Sequence, residues 1–145
     1  QQQRRTTMSA ASNYLENELL DHALGTGGAF SQPSNVYVGL FTSADSTGAT
    51  AANLEAGTIT NELSGNGYSR QTATFGAASG GSASNSGNLT FTASGGNWGT
   101  ITHVAVHDAS SSGNVLFYGA LTTAKTIEDG DSFQIATSNL TISLA

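Results

Sequence analysis

The residues in this chain best equipped for chemistry lie close together. The run from Trp98 to Asp108, Trp-Gly-Thr-Ile-Thr-His-Val-Ala-Val-His-Asp, holds the only tryptophan and two of the three histidines. Imidazole is the commonest metal-ligating side chain and titrates near neutral pH. The run is rich in β-branched and aliphatic residues, so it reads as a strand. On a strand His103 and His107 face the same way but stand about 13 Å apart, at ~3.3 Å per residue. One metal ion cannot join them, and no carboxylate is close enough in sequence to complete a site. Both are expected to be packed or hydrogen-bonded structural histidines.

The other chemical constellations are weaker. Glu128-Asp129-Gly130-Asp131 clusters oxygens of the kind calcium prefers, but it lacks the alternating series and closing glutamate of an EF-hand loop. It reads as an acidic hairpin turn. No Gly-x-Ser-x-Gly elbow stands between a strand and a helix, so a Ser/His/Asp triad has no support. Gly25-Thr26-Gly27-Gly28 is not followed by Gly-Lys-Ser/Thr, so no phosphate loop is indicated. Arg70 is expected to pair with Glu62 or another nearby carboxylate. His22 is expected on the solvated edge of a helix, and Trp98 as a core or interface anchor rather than a sugar platform. No catalytic, cofactor-binding or metal-ligating residue is assigned, and no cofactor is expected.

These residues must be positioned by the elements around them. A Ser/Gly/Asn cluster over 109–114 separates the Trp98 run from a second one, Val115 to Leu121, which is the pattern of a β-hairpin. Apolar residues on both parities make this hairpin the expected centre of the fold. Residues 12–24 form the one convincing helix. Asn13 is the expected cap, with Glu16 three residues on. Leu15, Leu19 and Ala23 with Leu20 and Leu24 form an apolar stripe that must lie on a sheet or on another subunit. Gly25 fits the stop. Val36 to Phe41 is apolar on both parities and reads as a central strand. Residues 43–57 read as a long polar loop, 76–88 as another, and Gly65-Asn66-Gly67 as a turn before a strand from Tyr68 to Phe75. Further strands are expected at Leu89–Phe91, around Phe133 and Ile135, and at Leu140–Leu144. Seven or eight strands behind one helix predict a mainly β protein, an antiparallel β-sandwich of jelly-roll-like type. Residues 1–11 are expected to form an extended N-terminal arm, and 12–145 a single sandwich domain carrying the helix at 12–24.

Composition bounds the function. Charged residues are only 10% of 145 and the formal charge is −6. Arg4 and Arg5 are half of the basic residues, and from Thr6 onward Arg70 and Lys125 alone oppose ten carboxylates. No clustered cations are present to displace counterions from phosphates, so direct nucleic-acid binding is not expected. No apolar run approaches the ~20 residues needed to cross a bilayer, and the N-terminus shows no apolar signal segment. The absence of cysteine excludes disulfides and thiolate metal sites.

Several blocks, in order along nearly the whole chain, resemble a family of small tailed-bacteriophage virion structural proteins of the tail-fibre-like or capsid-decoration kind. They are Ser12 to Asn17 with Leu19 to His22, Val36 to Ser43, Gly67 to Gln71, Trp98 to His103 and Gly119 to Thr126. The N-terminal extension and the 43–57 insertion depart from the compact pattern. The resemblance implies a virion component and no enzyme. A fibre usually needs a long shaft, whereas a lone sandwich with an arm suits a capsid decoration (cement) protein on the outer face of the shell. That is the preferred expectation, with the major capsid protein and neighbouring copies of the chain as partners. A tail or tail-fibre component is the alternative, and a carbohydrate-binding module the lesser one. Partner contacts are expected at Arg4 and Arg5 of the arm and at Leu54 and Glu55 of the 43–57 loop.

Overall fold

The hairpin forms where the sequence predicts it and supplies the middle of the largest sheet. The computed structural model describes residues 2–3, 6–8, 10–42 and 50–144. In it β8 (Gly99–His107) pairs antiparallel with β9 (Val115–Ile127) on one edge and with β4 (Val36–Phe41) on the other. β5 (Gln71–Ala73) extends the sheet beyond β4, and the short β3 (Ala10–Ala11) pairs with β9, giving the order β3-β9-β8-β4-β5. Two three-stranded sheets follow. One has the order β1-β10-β7, from Gln2–Gln3, Ser132–Ile135 and Leu89–Thr92. The other has the order β2-β11-β6, from Thr6–Met8, Leu140–Ser143 and Ser82–Ser84. The protein is mainly β and antiparallel, apart from the parallel pairings of β1 with β10 and β2 with β11.

The sheets face one another across one core. Val38, Leu40, Val104 and Val106 from the large sheet meet Phe91, Phe133, Ile135 and Leu140 from the other two, all nearly or wholly excluded from solvent. Burying such side chains gives about 1.5–3 kcal/mol each before the entropy of ordering them is set against it. The large sheet is covered on its second face as well. Phe41, Ala105 and Val115 pack there with Leu54 of the short helix α2 (Thr50–Glu55).

Strand parity along β8 departs from simple alternation. The partner of Ile101 is Lys125 and that of His103 is Ala120, so β9 carries a bulge between them. Such an insertion re-aims the side chains that follow. Ile101 on β8 also joins Val104 and Val106 in the main core, although strict alternation would set it with His103 and His107.

Four further expectations are corrected. The helix α1 (Asn13–Leu24) is capped by Ser12, whose Oγ accepts the Leu15 N–H at 3.2 Å, and not by Asn13. Ser12 is fully buried, its N–H donating to the Leu116 carbonyl at 2.9 Å and its hydroxyl to the Val115 carbonyl, so it joins helix and sheet at one residue. Within the expected 43–57 loop, residues 50–55 form α2, because Leu54 gives an otherwise bland Ala-rich turn an apolar anchor. The strand expected from Tyr68 is regular only over Gln71–Ala73. The expected loop at 76–88 contains β6, whose Ser82 and Ser84 hydroxyls pair with those of Ser143 and Thr141. Hydroxyl ladders of this kind hold a strand without the apolar pattern that would reveal it.

Backbone bonds join the sheets edge to edge. Past β5 and β6, the Gly76 N–H donates to the Ser84 carbonyl at 3.0 Å and the Ser86 N–H to the Thr74 carbonyl at 2.9 Å. On the other side the N-terminal strands pair with β9 through β3 and with β10 and β11 through β1 and β2.

Candidate functional site

The polar chemistry in the interior converges on Gly39 of β4. A Cβ at that position would lie 2.8 Å from Glu62 Oε2, 2.9 Å from His107 Nε2 and 3.1 Å from the Tyr68 hydroxyl. Only glycine lets β4 pass under this group. Arg70 forms a fork on Glu62, Nε to Oε2 and Nη2 to Oε1, both at 2.8 Å. Its Nη1 donates to the carbonyls of Ala109 and Ser112 at 2.8 and 2.9 Å. Tyr68 donates to Glu62 Oε2 at 2.6 Å, and the Leu40 N–H donates to the Tyr68 oxygen at 3.0 Å. The expected Arg70–Glu62 pair is thus present, and it ties the β8–β9 loop to the segment before β5.

The electrostatics follow from that wiring. Burial pushes the Glu62 carboxyl up, but the Arg70 and Tyr68 hydrogen bonds and the Arg70 charge outweigh it and hold it below the usual range. Burial and the adjoining Glu62 carboxylate push the Tyr68 phenol far up. His107 is wholly buried, stacked on Phe41 with ring centroids 5.7 Å apart, and neither ring nitrogen has a hydrogen-bond partner among the described residues. Burial, then the Arg70 charge, lowers its pKa to about 4. His103 is half-buried, its Nδ1 2.8 Å from the Thr102 hydroxyl, and burial lowers its pKa as well. In this cluster the carboxylate and guanidinium are turned toward each other and toward the backbone, which suits bracing better than acid–base work. Among the described residues no group of three His, Cys, Asp or Glu side chains is placed to hold a metal ion.

Trp98 is only 7% exposed, meets Tyr68 edge-on at 5.8 Å and donates its indole N–H to the Asn66 carbonyl at 2.9 Å. It is a core anchor. His22 is exposed at the surface of α1, and its Nδ1 accepts the Phe30 N–H at 3.1 Å. The acidic turn is held by its own backbone, with the Asp131 N–H donating to the Glu128 carbonyl at 2.9 Å.

The open surface of the molecule has a different character. A hollow of about 290 Å³ is lined by Val36, Phe75, Leu116, Phe117, Ile142 and Leu144, among others. It runs on, through shared walls at Val36, Phe75 and Phe117, into a wider one of about 590 Å³ bounded by Leu15 and Leu19 of α1 and by Phe30 and Pro33. No charged side chain lines either part. Only the inner side of the α1 stripe is covered. Leu15 is buried and Leu19 half-buried, whereas Leu20, Ala23 and Leu24 are exposed, so within one chain the sheet covers only part of the stripe expected to lie on a sheet or on another subunit.

Of the expected partner-contact residues, Arg4 and Arg5 lie outside the described residues. Leu54 is wholly buried beneath α2 with Phe41 and Val115, while Glu55 is exposed at the end of that helix. Sequence reasoning did not find the groove. Its walls come from six separate stretches of chain, and its apolar wall residues each read locally as ordinary core.

Comparison with known proteins adds one finding. A family described as "Podophage GP4 fiber I protein gp80" matches residues 10–143. No curated protein matches the chain.

Proposed function

Because the chain belongs to the podophage GP4 fiber I protein gp80 family, we propose that it is a structural component of a phage tail fibre, acting by its place in an assembly and not by catalysis. The match over residues 10–143 carries this reading and makes the chain a tailed-phage virion structural protein. It also reverses the order of the two expectations drawn from sequence, setting tail fibre before capsid cement. The argument against a fibre was that 145 residues leave no room for a shaft. That objection assumes that one chain must supply the whole fibre, and it lapses if several copies or partners build it.

A fibre unit must keep its shape under load. The Arg70 brace across the β8–β9 loop, the sheets joined through the N-terminal strands and the two-sided cover of the large sheet all serve that end. Modest contacts repeated between units would then give long residence without any single tight interface. Gold-labelled antibody against this chain, applied to intact virions, tests the location. Label confined to the tail is expected, and label spread over the head would restore the cement reading.

A further inference from the structure

Of the four large apolar side chains left exposed among the described residues, three stand on α1: Tyr14 at 37%, Leu20 at 58% and Leu24 at 71%. Single exposed leucines are ordinary, and it is their grouping on one element that marks an interaction surface. At about 100° per residue, Leu20 and Leu24 lie side by side and point away from Leu15, the residue that anchors α1 in the core. By the same spacing Glu16 stands on one flank of the pair, and Glu18 and Asp21 stand on the other.

Other elements extend both acidic flanks. Tyr118 of β9 lies between Glu16 and Glu55 at the end of α2. Burial, then the charges of Glu55 and Glu16, pushes its phenol up. On the other flank Tyr14 is raised by burial, then by Glu18 and by Asp108 just past the end of β8. Five of the ten carboxylates of the chain thus surround one small apolar strip. Among the described residues the ion pair is that of Arg70 with Glu62, so no cation offsets these five. A second copy has little to offer them. Its Arg70 is buried and spent on Glu62, which leaves only the half-buried Lys125 among the described residues. Opposite charge steers association and like charge suppresses wrong partners. A face of this kind selects a basic partner and rejects another acidic copy of itself.

We propose that the outer face of α1 is a docking surface for a different chain, one that presents an apolar pair flanked by lysines or arginines to Leu20 and Leu24. The proposal rests on the fibre reading only in seeking that chain in the virion. A 12-residue helix spans about 18 Å, so the contact is smaller than the ~800 Å² per partner of a standard stable interface. Each contact is therefore weak and salt-sensitive, and holds by repetition along an assembly.

The chemistry is tested on the full chain with a labelled amphipathic peptide of Leu, Ala and Lys, its leucine stripe flanked by lysines, followed by fluorescence anisotropy. Saturable binding that weakens with added salt is expected. Leu20→Ser combined with Leu24→Ser should weaken it roughly tenfold. Glu16→Lys combined with Glu18→Lys should weaken it by a similar factor and create binding to the mirror peptide that carries Glu in place of Lys. That gained affinity shows that the reversed variant is folded. Polylysine that binds as tightly as the probe, or a leucine variant that binds like the natural chain, would reduce the face to diffuse charge and overturn the proposal. The partner is tested in virions assembled with benzoylphenylalanine at position 24. Illumination should join this chain to a different one through a peptide containing lysine or arginine, and a cross-link to a second copy, or none, would overturn the proposal. Gold label on the tail without the expected cross-link leaves the fibre reading standing and removes this one. The cross-link in virions labelled over the head keeps this contact and removes the fibre reading.

Discussion

His107 is the residue at which the fold carries a titratable group with no polar recompense. It is wholly buried against Phe41, without a hydrogen-bond partner among the described residues, and its pKa lies near 4. An unfolded histidine titrates near 6.5. The neutral ring is thus the form the fold prefers, and its contribution is fully present above about pH 6.5. As pH falls from there toward 4 the unfolded chain takes up a proton that the folded chain refuses, so stability drops by up to about 1.4 kcal/mol per unit. Glu62 acts in the same direction in a lower window. Its folded pKa is depressed, so its share is present above the ordinary carboxyl pKa and is lost as pH falls through the folded value. His107→Phe keeps a flat ring against Phe41 and removes the titration. At pH 7 the variant should lie within about 1 kcal/mol of the natural protein. At pH 5 it should be the more stable by about 2 kcal/mol, while the acid losses from His103 and Glu62 remain in both proteins. Urea midpoints across the pH range decide this, and parallel profiles for the two proteins would show that His107 is not the group responsible.

At the scale of elements, Ser12 stands where three things meet: the end of the N-terminal strands, the start of α1 and the carbonyls of Val115 and Leu116. Ser12→Ala removes the cap of α1 and a buried donor to β9. A cap alone is worth about 0.5–2 kcal/mol. A loss toward the upper end of that range is expected in thermal denaturation, with reduced helical circular dichroism, whereas Asn13→Ala should change little. Asn13 reads as the cap because Glu16 stands three residues on, although Ser12 is also a good capping type. What decides between them is a partner 103 residues away, the Val115 carbonyl, which local pattern does not contain. The same distinction separates the elements that were legible from those that were not. β4, β8 and β9 bury their own side chains and announce themselves by composition. The helix α2 depends on one leucine finding Phe41, Ala105 and Val115, and β6 depends on hydroxyls finding Thr141 and Ser143. The Arg70–Glu62 pair was legible because opposite charges eight residues apart are scarce in so uncharged a chain. The groove was not, since its shape exists only after six stretches have met.

For the molecule as a whole, the N-terminal strands matter more than their composition implies. Gln, Thr and Ala show no periodicity there, and the sequence reading made the segment an extended arm for partner contact. Instead β1 and β2 run parallel to β10 and β11, from Gln2 opposite Gln134 to Met8 opposite Ile142, and β3 pairs with β9 at Phe117 and Tyr118. Pairing of this kind uses the N–H and C=O groups that every residue carries, so it leaves no trace in side-chain pattern. It also closes edges. Without residues 1–8, β10 and β11 each present an open strand to solvent, the condition that invites edge-to-edge aggregation. Five paired positions at roughly 1 kcal/mol per net hydrogen bond amount to a few kcal/mol. In a chain of this size that corresponds to a fall in Tm of roughly 10 °C. Deleting residues 1–8, which spares β3 and the Ser12 cap, should produce this fall and make the truncated protein aggregate on standing. Hydrogen exchange should quicken at Gln134, Ile135 and the β11 amides while those of β8 stay protected, because β8 lies between β4 and β9 and keeps both partners. A truncated chain with the natural Tm and natural exchange in β10 and β11 would mean that these strands lie against the domain without holding it. The N-terminal segment would then be free to pair elsewhere in the virion.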